Sequence, residues 1–189
     1  MARVLVPIAP GSEELEAITV IDLLRRAEIT VTVAGLAEGP VTCSRGTVIV
    51  PDATLAEVID EDFDMIVLPG GMPGAQCLWE HQPLRQRLQR QHAAGGYNAA
   101  VCAAPRVLAE AGLLTGRRAT SFPGFLNDLG DLAPAEIVED PVVQDGPVIT
   151  SRGPGTAMDF ALALIELLTD KAWREAVEER LQRPSLNQP

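Results

Sequence analysis

Histidine and cysteine are scarce in this chain, and their scarcity removes whole classes of chemistry. The two histidines, His81 and His92, come with no CxxC or HxxxH spacing, so a structural zinc site has no support. Three cysteines, Cys43, Cys77 and Cys102, are an odd number without paired spacing. That argues against a disulfide framework and for a reducing compartment, the cytoplasm. No apolar run reaches the ~18 residues of a membrane span. The opening MARVLVPIAP has one basic residue and runs into acids with no small-residue cleavage site, so it reads as a first strand and not as a secretory signal. Positive charge is short as well: 15 basic residues, with Lys171 the one lysine, face 26 acidic ones, for a net charge of −11. Such a surface repels nucleic acid and anionic membranes, so neither is an expected partner.

What is present describes a globular α/β domain. At 189 residues and 47% apolar composition, the chain is long enough to bury one substantial core. We expect a single domain over 1–183 and a frayed tail, PSLNQP, over 184–189. The short, nearly continuous apolar runs 3–9, 29–35, 64–70 and 98–102 have the pattern of strands buried on both faces of a parallel sheet. Helical segments alternate with them. Segment 12–27 opens on Ser12 as N-cap followed by two acids, and its polar residues Glu16, Thr19, Asp22 and Arg26 fall on one stripe. Segment 83–96 starts with Pro83 and ends in glycines. Residues 41–50 read as a strand pair turning at Arg45-Gly46, and 136–150 as a hairpin around Asp145-Gly146. A long buried helix over 153–171 and a shorter amphipathic one over 172–183 complete a three-layer α/β fold.

In open parallel sheets, ligands sit beyond the carboxyl ends of the strands. Three of those ends carry unusual residues here: APGSEELE after the first strand, LPGGMPGA at 68–75, and Cys102 at the corner of NAAVCAAP. They bring Glu16, the Gly70-Gly71 turn and Cys102 together. A cysteine just before a helix is expected to have its pKa lowered by the dipole and the free N–H groups, and the thiolate is the nucleophile. Backbone N–H groups of Ala103 and Gly71 are placed to form an oxyanion hole, which glycine permits by letting the backbone approach. A carboxylate beside a thiolate is repulsive, so Glu16 is expected to hold a proton and act as the general acid/base. Each feature alone also has a plain explanation: a buried small cysteine, a solvated glutamate stripe, an ordinary Gly-Gly turn. Cys43 and Cys77 read as packing residues, and His81 and His92 as surface residues.

Taken together, APGSEELEA, VTVAGLA, VTCSRG, DMIVLPGGMPGAQ, AAVCAAP and SRGPGTAMDFALALIELL, in that order over residues 3 to 170, resemble the ThiJ/PfpI superfamily. The likeness is to the branch of the Parkinson-associated deglycase (DJ-one) and bacterial YajL. The resemblance implies a flavodoxin-like α/β/α sandwich with a mostly parallel sheet and a nucleophile-elbow cysteine. It implies Cys102 as nucleophile with Glu16 beside it, Gly71 and Ala103 as oxyanion donors, and Gly70, Arg45, Phe122 and Pro154 around the pocket. It further implies a homodimer through the first helix, including Asp22, Arg25 and Arg26, and no cofactor or metal. The activities implied are those of a glyoxalase III or deglycase, taking methylglyoxal to lactate or clearing early glycation adducts. The alternative is a redox-sensing cysteine with holdase chaperone activity. Ala103 stands where the protease-like branch has histidine, so a peptidase is not expected. Phe122 stands where the animal deglycase has a pocket histidine, which leaves Glu16 to carry the proton transfers. With few aromatics besides, Phe122 suggests a small pocket suited to a two- or three-carbon dicarbonyl.

Overall fold

The computed structural model describes residues 1–183; the expected tail at 184–189 lies outside them. Along the chain run β1 (Arg3–Ile8), α1 (Glu14–Arg26), β2 (Thr30–Gly35), β3 (Val41–Thr42), β4 (Val48–Ile49), β5 (Ala53–Thr54) and α2 (Leu55–Val58). There follow β6 (Met65–Leu68), α3 (Gly74–Glu80), α4 (Gln82–Ala93), β7 (Tyr97–Val101), α5 (Pro105–Glu110), β8 (Arg118–Ala119) and β9 (Glu136–Ile137). The last elements are β10 (Val142–Asp145), β11 (Val148–Ser151), α6 (Ala157–Leu168) and α7 (Lys171–Arg180).

The main sheet has the order β10-β11-β7-β6-β1-β2-β5, and every pairing is parallel except the edge hairpin β10–β11. Period-2 alternation splits its side chains between two cores. From β1, Val4, Val6 and Ile8 pack with Ala17, Val20 and Leu24 of α1 and Phe160 and Leu164 of α6. Leu5 points the other way, into a cluster with Leu78, Leu84, Leu88, Val107 and Leu108 of α3, α4 and α5. The result is the flavodoxin-like α/β/α sandwich.

Several boundaries differ from the sequence reading, each for a local reason. Ser12 does not cap α1. Its hydroxyl accepts the Ala9 N–H inside the β1–α1 loop, and Glu13 takes the cap position without a side-chain bond. The hairpin is limited to β10 and β11, while Glu136–Ile137 pairs in parallel with Arg118–Ala119, because Pro141 separates the two segments. The helix expected at 153–171 starts only at Ala157, after a 3-10 turn at Pro154–Thr156. The stretch after the Gly70-Gly71 turn forms α3, which the glycines and prolines of its first residues concealed. His81 and His92 are both half-buried. His81 Nδ1 accepts the Leu84 N–H as the cap of α4, and His92 Nε2 lies 3.3 Å from Arg117 Nη2.

The β1–α1 loop and the start of α3 pack backbone on backbone: a side-chain carbon on Gly74 would overlap the Ser12 backbone. Gly74→Ala is therefore expected to cost about 1–3 kcal/mol, read as a lower urea midpoint.

Candidate active site

Three loops at the carboxyl ends of β1, β6 and β7 build the site. The β7–α5 corner turns within the residues between Val101 and Pro105. Cys102 takes a φ of 63°, a left-handed conformation that a side chain makes costly. Both of its peptide groups are tied down, which holds the strained geometry in place. Its N–H donates to the Ser151 carbonyl at 3.0 Å, and its carbonyl accepts the Phe122 N–H at 2.8 Å. The side chain is left 9% exposed and pressed against Gly70.

Only glycine fits at that contact. A carbon on Gly70 would lie 2.7 Å from Cys102 Cβ, 2.9 Å from Ala103 N and 2.9 Å from Glu16 Oε2. Gly71 is required for a second reason, a φ of 84°. The turn aims its N–H at the sulfur, and the N–H groups of Gly71 and Ala103 both face the Cys102 side chain and favour its ionised form.

Glu16 comes from the first turn of α1 and is wholly buried. Its Oε2 accepts the Gly70 N–H at 2.8 Å. The carboxyl also faces the Cys102 thiol, and Oε1 has no well-formed hydrogen bond. The expected solvated stripe thus divides. Glu16 turns inward, Asp22 and Arg26 stay outside, and the apolar Leu15 and Ile18 are about half exposed.

Burial raises both acids, and the Glu16 carboxylate raises the thiol further. Burial, with the Glu13 charge nearby, lifts Glu16 to about 7 against the opposing Gly70 N–H and the Cys102 thiol. Burial, followed by the Glu16 carboxylate, pushes the Cys102 thiol up to about 12 against the Gly71 and Ala103 N–H groups. The expectation of a thiol drawn down by the helix end is corrected accordingly. α5 spans only Pro105–Glu110, and its N-terminus is outweighed by desolvation and a neighbouring carboxylate. The pair titrates as a unit, losing one proton near pH 7 and the second near 12. In that interval the thiol keeps its proton beside the Glu16 carboxylate, and thiolate with carboxylic acid is the minor tautomer.

Of the other residues named from sequence, Phe122 touches the site through its bond to the Cys102 carbonyl. It also lies against Gly153, the neighbour of Pro154: its Cδ2 is 3.5 Å from where a Gly153 Cβ would stand. Arg45 sits exposed at the β3–β4 turn. Asp22 and Arg26 pair with each other at 2.6 Å, and Arg25 pairs with Asp52 at 3.0 Å, all on the outer side of α1. Cys43 is buried, its thiol raised by burial and by Glu14 and Glu13, and Cys77 is partly buried. Among the described residues no group of three or more His, Cys, Asp or Glu is arranged to hold a metal, and no helix is long and apolar enough to cross a membrane.

Sequence reasoning missed Glu14. It is buried, and its carboxylate accepts the Arg45 N–H at 3.0 Å, the Thr47 N–H at 3.2 Å and the Ser44 hydroxyl at 3.0 Å. Burial raises its pKa, but the N–H groups of Glu14 itself, Arg45 and Thr47, with the Ser44 hydroxyl, outweigh that and hold it at about 2. The β3–β4 ribbon is thereby fastened to the start of α1. An acid in a first helical turn is so ordinary that nothing in the sequence set this one apart.

The raised Glu16 gives a stability signature. Its folded pKa of about 7 exceeds the ordinary carboxyl value of 4.5. Its favourable contribution is complete below the unfolded value and is lost as pH rises through the folded one. Relative to Glu16→Gln, the wild type is expected to lose about 3 kcal/mol of unfolding free energy across that window, measurable by denaturant titration at each pH. The same substitution removes the carboxylate that raises the thiol, so the thiolate absorbance of Cys102 should appear at lower pH than in wild type.

With the geometry described, the similarities are informative. Residues 2–167 match the model of the DJ-1/PfpI family. The chain is 48% identical to Protein dj-1beta of Drosophila melanogaster over 176 residues, covering 93% of this chain and 92% of that protein. It is 38% identical to the glutathione-independent glyoxalase DJR-1.2 of Caenorhabditis elegans, covering 88% of each. The crystal structure of Drosophila melanogaster DJ-1beta superimposes with a TM-score of 0.92 at 43% identity, covering 97% of this chain and 99% of that one.

Proposed function

The chain belongs to the DJ-1/PfpI family, and from that premise we propose that it is a cofactor-independent cysteine enzyme of the glyoxalase III kind. Its substrates are α-oxoaldehydes such as methylglyoxal, converted with water to 2-hydroxy acids such as lactate. One observation carries the reading. Cys102 and Glu16 are buried against each other, with the N–H groups of Gly71 and Ala103 facing the sulfur.

In the proposed reaction the thiolate tautomer adds to the aldehyde carbon. The carbonyl electron pair moves to oxygen, which meets the backbone N–H donors and takes the proton of Glu16, giving a hemithioacetal. Glu16, now a carboxylate, removes the proton from the former aldehyde carbon and returns it to the adjacent carbon through an enediol. The first carbon is oxidised to a thioester while the neighbouring ketone is reduced to an alcohol. The redox change is internal and balances without an external electron carrier. Water then cleaves the thioester, releasing lactate and the thiol. The hemiaminal of an early glycation adduct presents the same carbon to Cys102 and defines a second substrate class, with an amine as leaving group. Free thiols on all three cysteines suit a reducing cytoplasm.

In amine-free and thiol-free buffer, wild type is expected to form lactate from methylglyoxal catalytically. Cys102→Ser and Glu16→Gln should each lose at least a hundredfold in turnover, with the thiol of Glu16→Gln still open to alkylation. Stoichiometric loss of methylglyoxal without lactate would overturn the enzyme reading. It would favour the second one, a redox-sensing thiol with holdase activity, whose sulfinate the same two N–H groups would stabilise.

We also propose a homodimer. Leu15 and Ile18 on α1 and Val48 and Val50 on the adjoining ribbon are exposed, at 46% or more of their surface, around the outer face that carries Asp22, Arg25 and Arg26. Ile18→Glu is expected to shift the protein from dimer to monomer in light scattering after size-exclusion chromatography.

A further inference from the structure

The thiol is nearly enclosed, yet two large apolar side chains on the loops whose backbone meets Cys102 are left in solvent: Phe122 at 46% and Met72 at 43% exposure, against 9% for Cys102. They come from different loops. Met72 follows Gly71, whose N–H meets the sulfur, and Phe122 donates its N–H to the Cys102 carbonyl at 2.8 Å. The Phe122 ring does not fill the site. It is backed on one side by Gly153 and on another by Phe125, whose ring meets it edge-on at 6.2 Å and 73°. Leu126, buried at 1% exposure, anchors the segment that carries both rings. A ring so fixed is a preformed apolar wall next to a nucleophile, and it loses little freedom when a second flat group lies on it.

We infer that Phe122 is a specificity-determining residue, and that the apolar rim its ring forms beside the Cys102 corner selects α-oxoaldehydes carrying an aryl or bulky alkyl group over those carrying methyl. The inference rests on the proposed activity, and its test separates the two.

The test compares kcat/KM for phenylglyoxal and methylglyoxal in wild type, Phe122→Ala and Phe122→Leu. Taking the phenyl-to-methyl ratio in each protein and comparing it between proteins cancels the intrinsic reactivity of the aldehydes. In parallel, rates of Cys102 alkylation by N-phenyl- and N-methyl-iodoacetamide are read by peptide mass mapping, which needs no turnover. The phenyl-to-methyl ratio is expected to fall about fivefold in Phe122→Ala in both assays, with Phe122→Leu in between. An unchanged ratio in both assays, with methylglyoxal still turned over through Cys102, overturns the inference and leaves the proposed function standing. If neither aldehyde is turned over, the proposed function fails, and the alkylation ratio alone decides whether the rim selects aryl groups. Should Phe122→Ala fail to fold, Phe122→Leu carries the comparison in both assays.

Discussion

The peptide of Gly70 is the contact on which the site depends. Its carbonyl accepts the Glu13 N–H at 2.9 Å, its own N–H donates to Glu16 at 2.8 Å, and its bare Cα lies against Cys102. One backbone unit thus fixes the start of α1, the proton carrier and the thiol relative to one another. The neighbouring loops are packed as tightly, since a carbon on Gly71 or Gly74 would overlap the backbone of the β1–α1 loop. Packing of this density transmits position without flexible side chains in between. It also accounts for where glycine is indispensable in this fold and where it is merely tolerated: Gly155 has no left-handed φ and a side-chain carbon on it would meet nothing within 4 Å.

Electrostatics complements that packing. Burial destabilises the ionised forms of both the carboxyl and the thiol, the Glu16 carboxylate disfavours the thiolate further, and the N–H groups around them hold one negative charge but not two. The site is therefore an anion hole occupied by its own residues at rest. Glu14, only two residues from Glu16, shows the opposite balance. Enough donors converge on it that it remains ionised although buried. Two glutamates of one helical turn are thus driven apart by the number of N–H groups each receives.

The sheet, its parallel sense and the Cys102 corner were legible because they rest on local signals: apolar runs of strand length, and a proline just inside a helix. Glu16 was legible once the strand ends were placed side by side, but the charge state of the thiol was not. It depends on a carboxylate 86 positions earlier in the chain and on burial, neither of which a helix-dipole estimate contains. The polar stripe on α1 misled for a related reason. Periodicity sorts residues by polarity, and here buried acids face inward beside the site while Leu15 and Ile18 face out. Ser12 resembled a cap because Ser before two acids usually is one. Its hydroxyl is instead taken by Ala9 in a loop that the Gly70-Gly71 turn compresses. The hairpin boundary failed at Pro141, since β9, which pairs with β8, takes residues that the pattern had assigned to a single ribbon.

The Glu14 anchor has one more consequence. Two of its bonds reach the ribbon through main-chain N–H groups, those of Arg45 and Thr47, and only Ser44 contributes a side chain. Docking is therefore indifferent to what residues 45 and 47 are, provided neither is proline. The ribbon behaves as an interchangeable faceplate: its outward chemistry can be rewritten residue by residue while the fastening beneath it stays the same.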